Sequence, residues 1–336
     1  MKRKLIRVMS LVFLFCATLY PLAIAADLEV KDLKLHFQPN AIFALHSVAI
    51  EKGWFQEAGF KTVEKKSFTA GALAGQALIA GEIHFWTPGN WPVISMRHNG
   101  VPVVIVGTLN AAPAEWLMVR DDAGVEKPED LYKIKIATLV GSTCSGVIQN
   151  MADQYGLDPK KLQITNLAPP EQLTSLLANE VQAIMVWPPF SIKARKVATY
   201  RFNSLDFSNT LMPVVYSEDF IRKNPNAAKA VLNVLLRAQV WVRDPANKNE
   251  AISIHAKVSE QPAGVIEEAW DAFWNPKYPH GMVDQRFVDA FKNYTEFQAS
   301  QGRIKDPKSV LTYLYTDFLE EVKPEFLQGI KGEWKP

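Results

Sequence analysis

The chain has 336 residues, with 37 Lys and Arg against 35 Asp and Glu, six histidines and two cysteines. That length suits two domains, and a balanced charge without any Lys/Arg stripe argues against a nucleic-acid-binding surface. The histidines show no metal-ligand spacing, and two cysteines exclude a disulfide scaffold, so the sequence calls for no metal and no cofactor.

Residues 1–25 read as an export signal. Lys2, Arg3, Lys4 and Arg7 form a basic stretch, Val8 to Leu19 is mostly apolar, and Ala23-Ile24-Ala25 is a small-x-small cleavage site, which predicts a cut after Ala25. The apolar run is too short for a comfortable membrane span. Phe15 stands where a lipoprotein signal needs a small residue before Cys16. The exported chain is then expected in a bacterial periplasm, with a net charge of about −2 and Cys144 as its only cysteine, so without an internal disulfide.

The rest of the chain alternates strands and helices. A strand at Leu33 to Gln38 precedes a helix from about Ala41 to Lys52, closed by Gly53. A second strand ends near Phe68, and Thr69-Ala70-Gly71 opens a helix that Gly81 closes. A third strand, Ile83 to Trp86, runs into Thr87-Pro88-Gly89-Asn90. A helix from about Trp91 to Asn99 follows, then a buried strand, VPVVIVGT.

The pattern restarts after Asn110-Ala111-Ala112-Pro113. Glu115 to Arg120 is a strand, and Lys133 to Leu139 another. Gly141 then turns the chain into a helix that ends at Gly156, with Ser142, Thr143 and Ser145 crowded at its start. Hydroxyls there suit a helix cap, and unpaired N–H groups at the positive end of the helix dipole suit a bound anion. The stretch by itself leaves both readings open. Leu162 to Leu167 is a strand, Pro169 to Asn179 a helix, and Val181 to Trp187 a strand. Pro188-Pro189 starts the next helix, in a first turn where proline is tolerated. From Val214 onward the chain is mainly helical, broken at Pro245, Pro262, Pro276, Pro279 and Pro307.

Ligands of open α/β sheets sit beyond the carboxyl ends of the strands. Those ends carry Gln38 and Asn40, Thr69 and Gly71, Trp86 and Thr87, Ser142 and Thr143, and Trp187, with no Arg or Lys among them. This favours a small anion or polar group held by hydroxyls and backbone N–H groups. Trp86 and Trp187 also suit core packing, and Gln38 and Asn40 also suit ordinary turns. Cys144, at a helix start, suits a lowered-pKa nucleophile or a small buried side chain beneath the turn.

Six segments together resemble the periplasmic solute-binding proteins of nitrate-, sulfonate- and taurine-type ABC transporters, which also include binders of thiamine-pyrimidine precursors. They are AIEKGWFQEAGF, ALIAGEIHFW, KIKIATLVGSTCSG, QYGLDP, VQAIMVWPPF and SEDFIRKNPNAAKAVLNVLLRAQVWV, in the family's order. The resemblance implies an α/β fold of the type II periplasmic binding class, two α/β lobes joined by two crossovers, with a helical C-terminal tail. Lobe I would comprise residues 26–111 and 214–336, and lobe II residues 112–213. A small-molecule ligand would lie between the lobes, and the closed form would deliver it to an ABC transporter permease. The family's binding positions carry over to Gln38, Asn40, Thr69, Gly71, Ser142, Thr143 and Trp187, with Cys144 contributing a backbone N–H. The chain departs from the family pattern at His84, where an acid is frequent, and at Trp86 and Trp91, where small residues are frequent. These aromatics would narrow the cleft or stack on a planar ligand. The resemblance implies a monomeric receptor for a small organic anion, with an aromatic-heterocycle binder, a Cys144-dependent enzyme or a sensory lobe as alternatives.

Overall fold

The computed structural model describes residues 27–111, 114–208, 210–276 and 281–336. The expected export signal at 1–25 and the Ala112-Pro113 break lie outside the described residues. The fold is of the α/β class. Strand β1 (Asp32–Phe37) leads through a 3-10 turn at Ala41–Phe43 into helices α1 (Ala44–Glu51) and α2 (Trp54–Glu57), and the chain returns as β2 (Thr62–Ser67). Helices α3 (Gly71–Ile79) and α4 (Asn90–His98) precede the long strand β3 (Val103–Ala111). The middle of the chain holds β4 (Trp116–Arg120), β5 (Lys135–Thr138), α5 (Thr143–Gln154), β6 (Gln163–Asn166), α6 (Pro169–Leu177), β7 (Ala183–Val186), α7 (Phe190–Ala194) and β8 (Ala198–Tyr200). Strand β9 (Leu211–Ser217) opens a helical stretch of α8 (Glu218–Lys223), α9 (Pro225–Arg243), α10 (Lys248–Ser259), α11 (Ala263–Trp274), α12 (Gln285–Ser300) and α13 (Asp317–Val322).

Strands β1 and β2 pair in parallel, and β3 pairs with β9 antiparallel. Phe85 and Trp86 link the two pairs, Leu35 bridging Phe85 and Trp86 bridging Val215. The strand expected at Ile83 to Trp86 is thus reduced to single bridges. Its continuation is diverted, because the Thr87 N–H goes to the His36 ring instead of a ladder partner. The five-stranded sheet has the order β6-β5-β7-β4-β8, with β5 parallel to β6 and β7 and with β4 antiparallel to β7 and β8. Strand β8, only three residues long, carries no alternation that sequence reading detects.

The apolar interior divides accordingly. One continuous core takes residues from Leu28 to Ala114 and from Leu211 to Trp334. Two smaller cores cover the faces of the five-stranded sheet and draw on Leu117 to Ala198. Helix α5 shows how the sequence achieves this. Cys144, Val147, Ile148, Met151 and Ala152 recur at three- and four-residue spacing, so one face of the helix is buried against that sheet. Gly156, at φ +69°, ends it in the left-handed conformation that glycine adopts without a Cβ penalty.

The larger core encloses three histidines with no exposed surface, His36, His46 and His255. Burial pushes His36 and His255 down to about 3 and His46 well below its ordinary value, so all three are neutral in the folded protein at neutral pH. An unfolded chain protonates its histidines from about pH 6.5 downward. Their contribution is therefore complete above pH 6.5 and declines as the pH falls toward 3. By pH 5 each of these imidazoles costs about 2 kcal/mol of stability. Urea midpoints should accordingly drop steeply between pH 7.5 and pH 5, and the His255→Gln variant should show a shallower drop. A flat stability profile across that range would mean that these rings take up protons while folded.

Candidate ligand-binding site

Three helices, α3, α4 and α5, begin at one cavity. Gly71 is the first residue of α3, Gly89 immediately precedes α4, and Ser142 and Thr143 start α5, and all four line it. None of these helix starts is capped by a side chain of its N-cap residue. The first N–H groups of a helix need partners from elsewhere, and three dipoles converge here with their positive ends toward one space.

The cavity, mouth included, has an empty volume of ≈ 580 Å³. Its walls come from both sides of the divided interior: Gln38, Asn40, Phe43, Thr87, Pro88, Leu211, Met212 and Phe273 beside the larger core, and Ser142, Thr143 and Trp187 beside the smaller ones. Among the described residues, no Lys or Arg lines it. The Trp187 indole N–H is buried without an acceptor, and one terminal atom of the Asn40 amide is buried without a partner. Such groups are costly unless something supplies the missing bond.

Two glycines allow the walls to approach so closely. A Cβ on Gly89 would lie 2.1 Å from Thr143 Oγ1, and a Cβ on Gly146 would lie 2.2 Å from the Trp91 ring. Trp91 is buried, its ring edge-on to Tyr294 at 5.4 Å, so α4 meets α5 through an aromatic plate set on bare backbone. Away from the cavity lining, Arg195, just past α7, pairs with Glu268 on α11 at 2.9 Å. Both side chains are half exposed, so this pair contributes at most about 1 kcal/mol.

One wall residue is acidic. Glu115 is buried, and its carboxylate accepts from the Ala114 N–H at 3.1 Å, the Ser208 hydroxyl at 2.5 Å and the Thr210 hydroxyl at 2.8 Å. Burial raises its pKa, and these hydrogen bonds only partly offset the rise. Glu115 thereby ties the segment entering β4 to the segment entering β9, the two places where the chain passes between the cores. Sequence reading missed it, since a lone Glu before a strand carries no signal of its own.

Of the ten residues expected at a ligand site, Gln38, Asn40, Gly71, Thr87, Ser142, Thr143 and Trp187 line this cavity. Thr69, Trp86 and Cys144 do not. Thr69 is exposed and lies one residue before the α3 N-cap, Ala70, so it is displaced from the helix start. Trp86 lies in the larger core, where its indole N–H donates to the Gly71 carbonyl at 2.8 Å and its ring fills space left by Gly75. Cys144 has its side chain in a smaller core, which matches the buried-side-chain reading of the sequence and leaves only its backbone N–H as a candidate contact. The Ser142 hydroxyl, expected as a cap, donates instead to the Leu139 carbonyl at 2.7 Å, and the Ser145 hydroxyl accepts from the Gly141 N–H. The cavity also uses Phe43, Pro88, Gly89, Thr210 and Phe273, none of which the sequence singled out as a ligand contact.

Residues 40–247 match the NMT1/THI5-like family, and the chain belongs to it. It is 26% identical over 296 residues to the taurine-binding periplasmic protein of Escherichia coli K12, which covers 84% of this chain and 90% of that protein. Its structure is similar to that of the alkanesulfonate-binding protein of Xanthomonas axonopodis pv. citri bound to MOPS, with a TM-score of 0.75, 18% identity, and coverage of 85% of this chain and 98% of that one. A desulfurization enzyme shares the fold more distantly, at a TM-score of 0.61 and 15% identity over 87% of this chain and 99% of that one. The curated relatives are binding proteins, the taurine-binding one periplasmic, and no helix among the described residues is long and apolar enough to cross a membrane.

Burial pushes the Cys144 thiol well above its ordinary pKa, and the nearby Glu115 adds to the rise. A thiol of this kind is unreactive at neutral pH. Iodoacetamide at pH 7.5 should label Cys144 only slowly in the native protein and rapidly once urea unfolds it. Fast labelling of the native protein would restore the nucleophile reading.

Proposed function

We propose that this chain is an exported receptor that captures a small organic anion in the cavity at the α3, α4 and α5 starts and delivers it to an ABC transporter permease. The observation that carries this reading is the convergence of three helix N-termini, none capped by its N-cap side chain, on a cavity whose described walls hold hydroxyls, amides and an indole N–H but no Lys or Arg. Such a site neutralises negative charge with fixed dipoles and N–H donors, and each charge-assisted hydrogen bond contributes roughly 1.5–3 kcal/mol. A few of them reach the roughly 8 kcal/mol of micromolar affinity. Relatives named as taurine-, sulfonate- and nitrate-binding proteins support the same class of ligand, and one named as formylaminopyrimidine-binding supports the second reading below. Glu115 does not oppose it, because its oxygens face three internal donors and burial favours its neutral form.

The two packed units act as lobes on this reading, residues 26–111 and 214–336 forming one and residues 112–213 the other. They close on the ligand by bending at the segments that Glu115 ties together. The protein works outside the inner membrane after loss of residues 1–25, as a monomer, and it is not an enzyme. The burial of Cys144 removes the side chain on which an enzymatic role would depend. Phe43, Trp187 and Phe273 give the cavity aromatic walls, which favours a ligand with an apolar or planar body and keeps a pyrimidine-like heterocycle as the second reading.

A thermal-shift panel of alkanesulfonates, 2-aminoethanesulfonate, nitrate, aromatic carboxylates and pyrimidines tests the ligand class. At a hundred times its Kd a true ligand adds about 2.7 kcal/mol. Stabilisation by an anion is the expected result, stabilisation by a neutral heterocycle alone would select the second reading, and no response to any member would defeat the receptor assignment. Closure has a separate test in Gly146→Ala. An added methyl group forces α5 away from Trp91, while alanine within a helix is favoured over glycine by about 1 kcal/mol. If the lobes open, the ligand-free variant should melt at or above the wild-type temperature and bind the ligand about tenfold more weakly. A rigid pair of units would instead lose stability without ligand.

A further inference from the structure

A line of buried side chains runs from inside the larger core to the cavity wall. His46 Nε2 lies 3.2 Å from Thr87 Oγ1, and Thr87 Oγ1 lies 3.3 Å from His36 Nδ1. The Thr87 backbone N–H also donates to His36 Nδ1, at 3.3 Å. On its other side, His36 Nε2 lies 3.2 Å from the Gln38 amide position placed as Nε2, and the Gln38 position placed as Oε1 lies 3.2 Å from the Asn40 position placed as Nδ2. Every member is at most 6% exposed. Gln38, Asn40 and Thr87 line the cavity.

The direction of this line follows from hydrogen counting. A neutral imidazole has one N–H and one lone pair, and burial holds His36 and His46 neutral. A backbone N–H can only donate, so the bond from Thr87 requires the lone pair of His36 at Nδ1 and its proton at Nε2. The opposite tautomer would set N–H against N–H and leave the buried Thr87 amide unpaired, the costlier fault. His36 Nε2–H then needs an acceptor, which makes the Gln38 atom facing it the amide oxygen. The Gln38 NH2 group consequently faces Asn40 and needs the Asn40 oxygen. A half-turn of each terminal amide, which exchanges groups of nearly equal size, satisfies every pair. The Asn40 atom left buried without a protein partner is then an N–H donor. At the inner end, His46 Nε2–H donates to Thr87 Oγ1, and the unpaired His46 Nδ1 is a lone pair, a cheaper orphan than an N–H.

We propose that His36 is a positioning residue that sets the polarity of the ligand site: as its Nε2–H tautomer it turns Gln38 and Asn40 so that both present N–H donors to the cavity. Resting on the anion-receptor reading above, this narrows the ligand's bound end to a group whose oxygens only accept, such as a fully ionised sulfonate. The same hydrogen count disfavours a ligand that offers its own O–H to these amides. Bonds aligned along one direction polarise one another, so the inner histidine strengthens the donors at the wall.

The tautomer is read from the ligand-free protein by two-bond ¹H–¹⁵N correlation of ¹⁵N-histidine-labelled protein, with the His36 signals assigned by their loss in His36→Asn. A protonated Nε2 and bare Nδ1 are expected; a protonated Nδ1 would overturn the proposal, whether or not any anion binds. Two variants then read the consequence, with ethanesulfonate as the probe. His36→Asn keeps an acceptor for the Thr87 N–H but cannot reach Gln38, and it should weaken binding at least about tenfold. His36→Gln places an amide N–H near the former Nε2–H and should restore affinity to within about threefold of wild type. Equal affinity of wild type and His36→Asn would also overturn it. Failure of the wild type to bind any panel anion would sink the receptor reading and leave the tautomer measurement to decide this one.

Discussion

The close approach of α4 and α5 is the constraint on which the site depends. Backbone lies against side chain at two places, Gly89 at Thr143 and Gly146 at Trp91, and any side chain at either glycine would push the helices apart. Because the two helices touch there, their first turns open side by side on the cavity. With α3 starting at Gly71, whose Cβ position is 3.1 Å from Pro88 and 3.4 Å from the Gln38 amide, the third helix start is crowded into the same place. Helix dipole fields fall off within about a turn, so convergence at this range is what makes three helix starts act on one ligand.

That arrangement accounts for a cavity wall without Lys or Arg among the described residues. A Lys or Arg there would need an internal counter-charge whenever the cleft is empty, since an unpaired charge away from water is expensive. Dipoles and N–H groups carry no net charge, and on the proposed reading water satisfies them in an open cleft and ligand oxygens in a closed one. Glu115 fits the same logic from the other side. Its carboxyl group serves the two connecting segments, and its three hydrogen bonds leave little of its acceptor capacity for the ligand.

Much of the fold was legible in the sequence because strand–helix alternation and terminal glycines report local geometry. The α5 face, with Cys144, Val147, Ile148 and Met151 at helical spacing, is an example. Seven of the ten expected site residues stand at the cavity because the ends of β1, β5 and β7 and the start of α3 were placed correctly to within a residue or two. The exceptions have tertiary causes. Trp86 turned inward because Gly75 left room for its ring, which only the packing of α3 reveals. Thr69 fell outside because the helix begins one residue later than its hydroxyl would require as a cap. Cys144 shares a turn with Thr143, but a helix turns about 100° per residue, and that rotation separates a cavity-lining side chain from a buried one. Glu115, Thr210 and Phe273 come from distant parts of the chain and meet only once both connecting segments are in place.

The histidines join stability to recognition. A core of this size is more cheaply filled with aliphatic residues, which carry no proton and lose nothing in acid. His36 and His46 are instead held neutral against a solution pKa near 6.5, and the fold forgoes part of its stability below that pH. What an imidazole supplies, and a leucine does not, is a rigid ring with a donor at one edge and an acceptor at the other. Placed between the Thr87 backbone and the Gln38 amide, that ring converts a fixed feature of the main chain into a fixed orientation of a side chain at the cavity. An amide free to flip presents a donor or an acceptor with nearly equal ease, so a wall of Gln and Asn has no polarity by itself. The strand that carries His36 provides it, two residues behind Gln38 at the cavity wall.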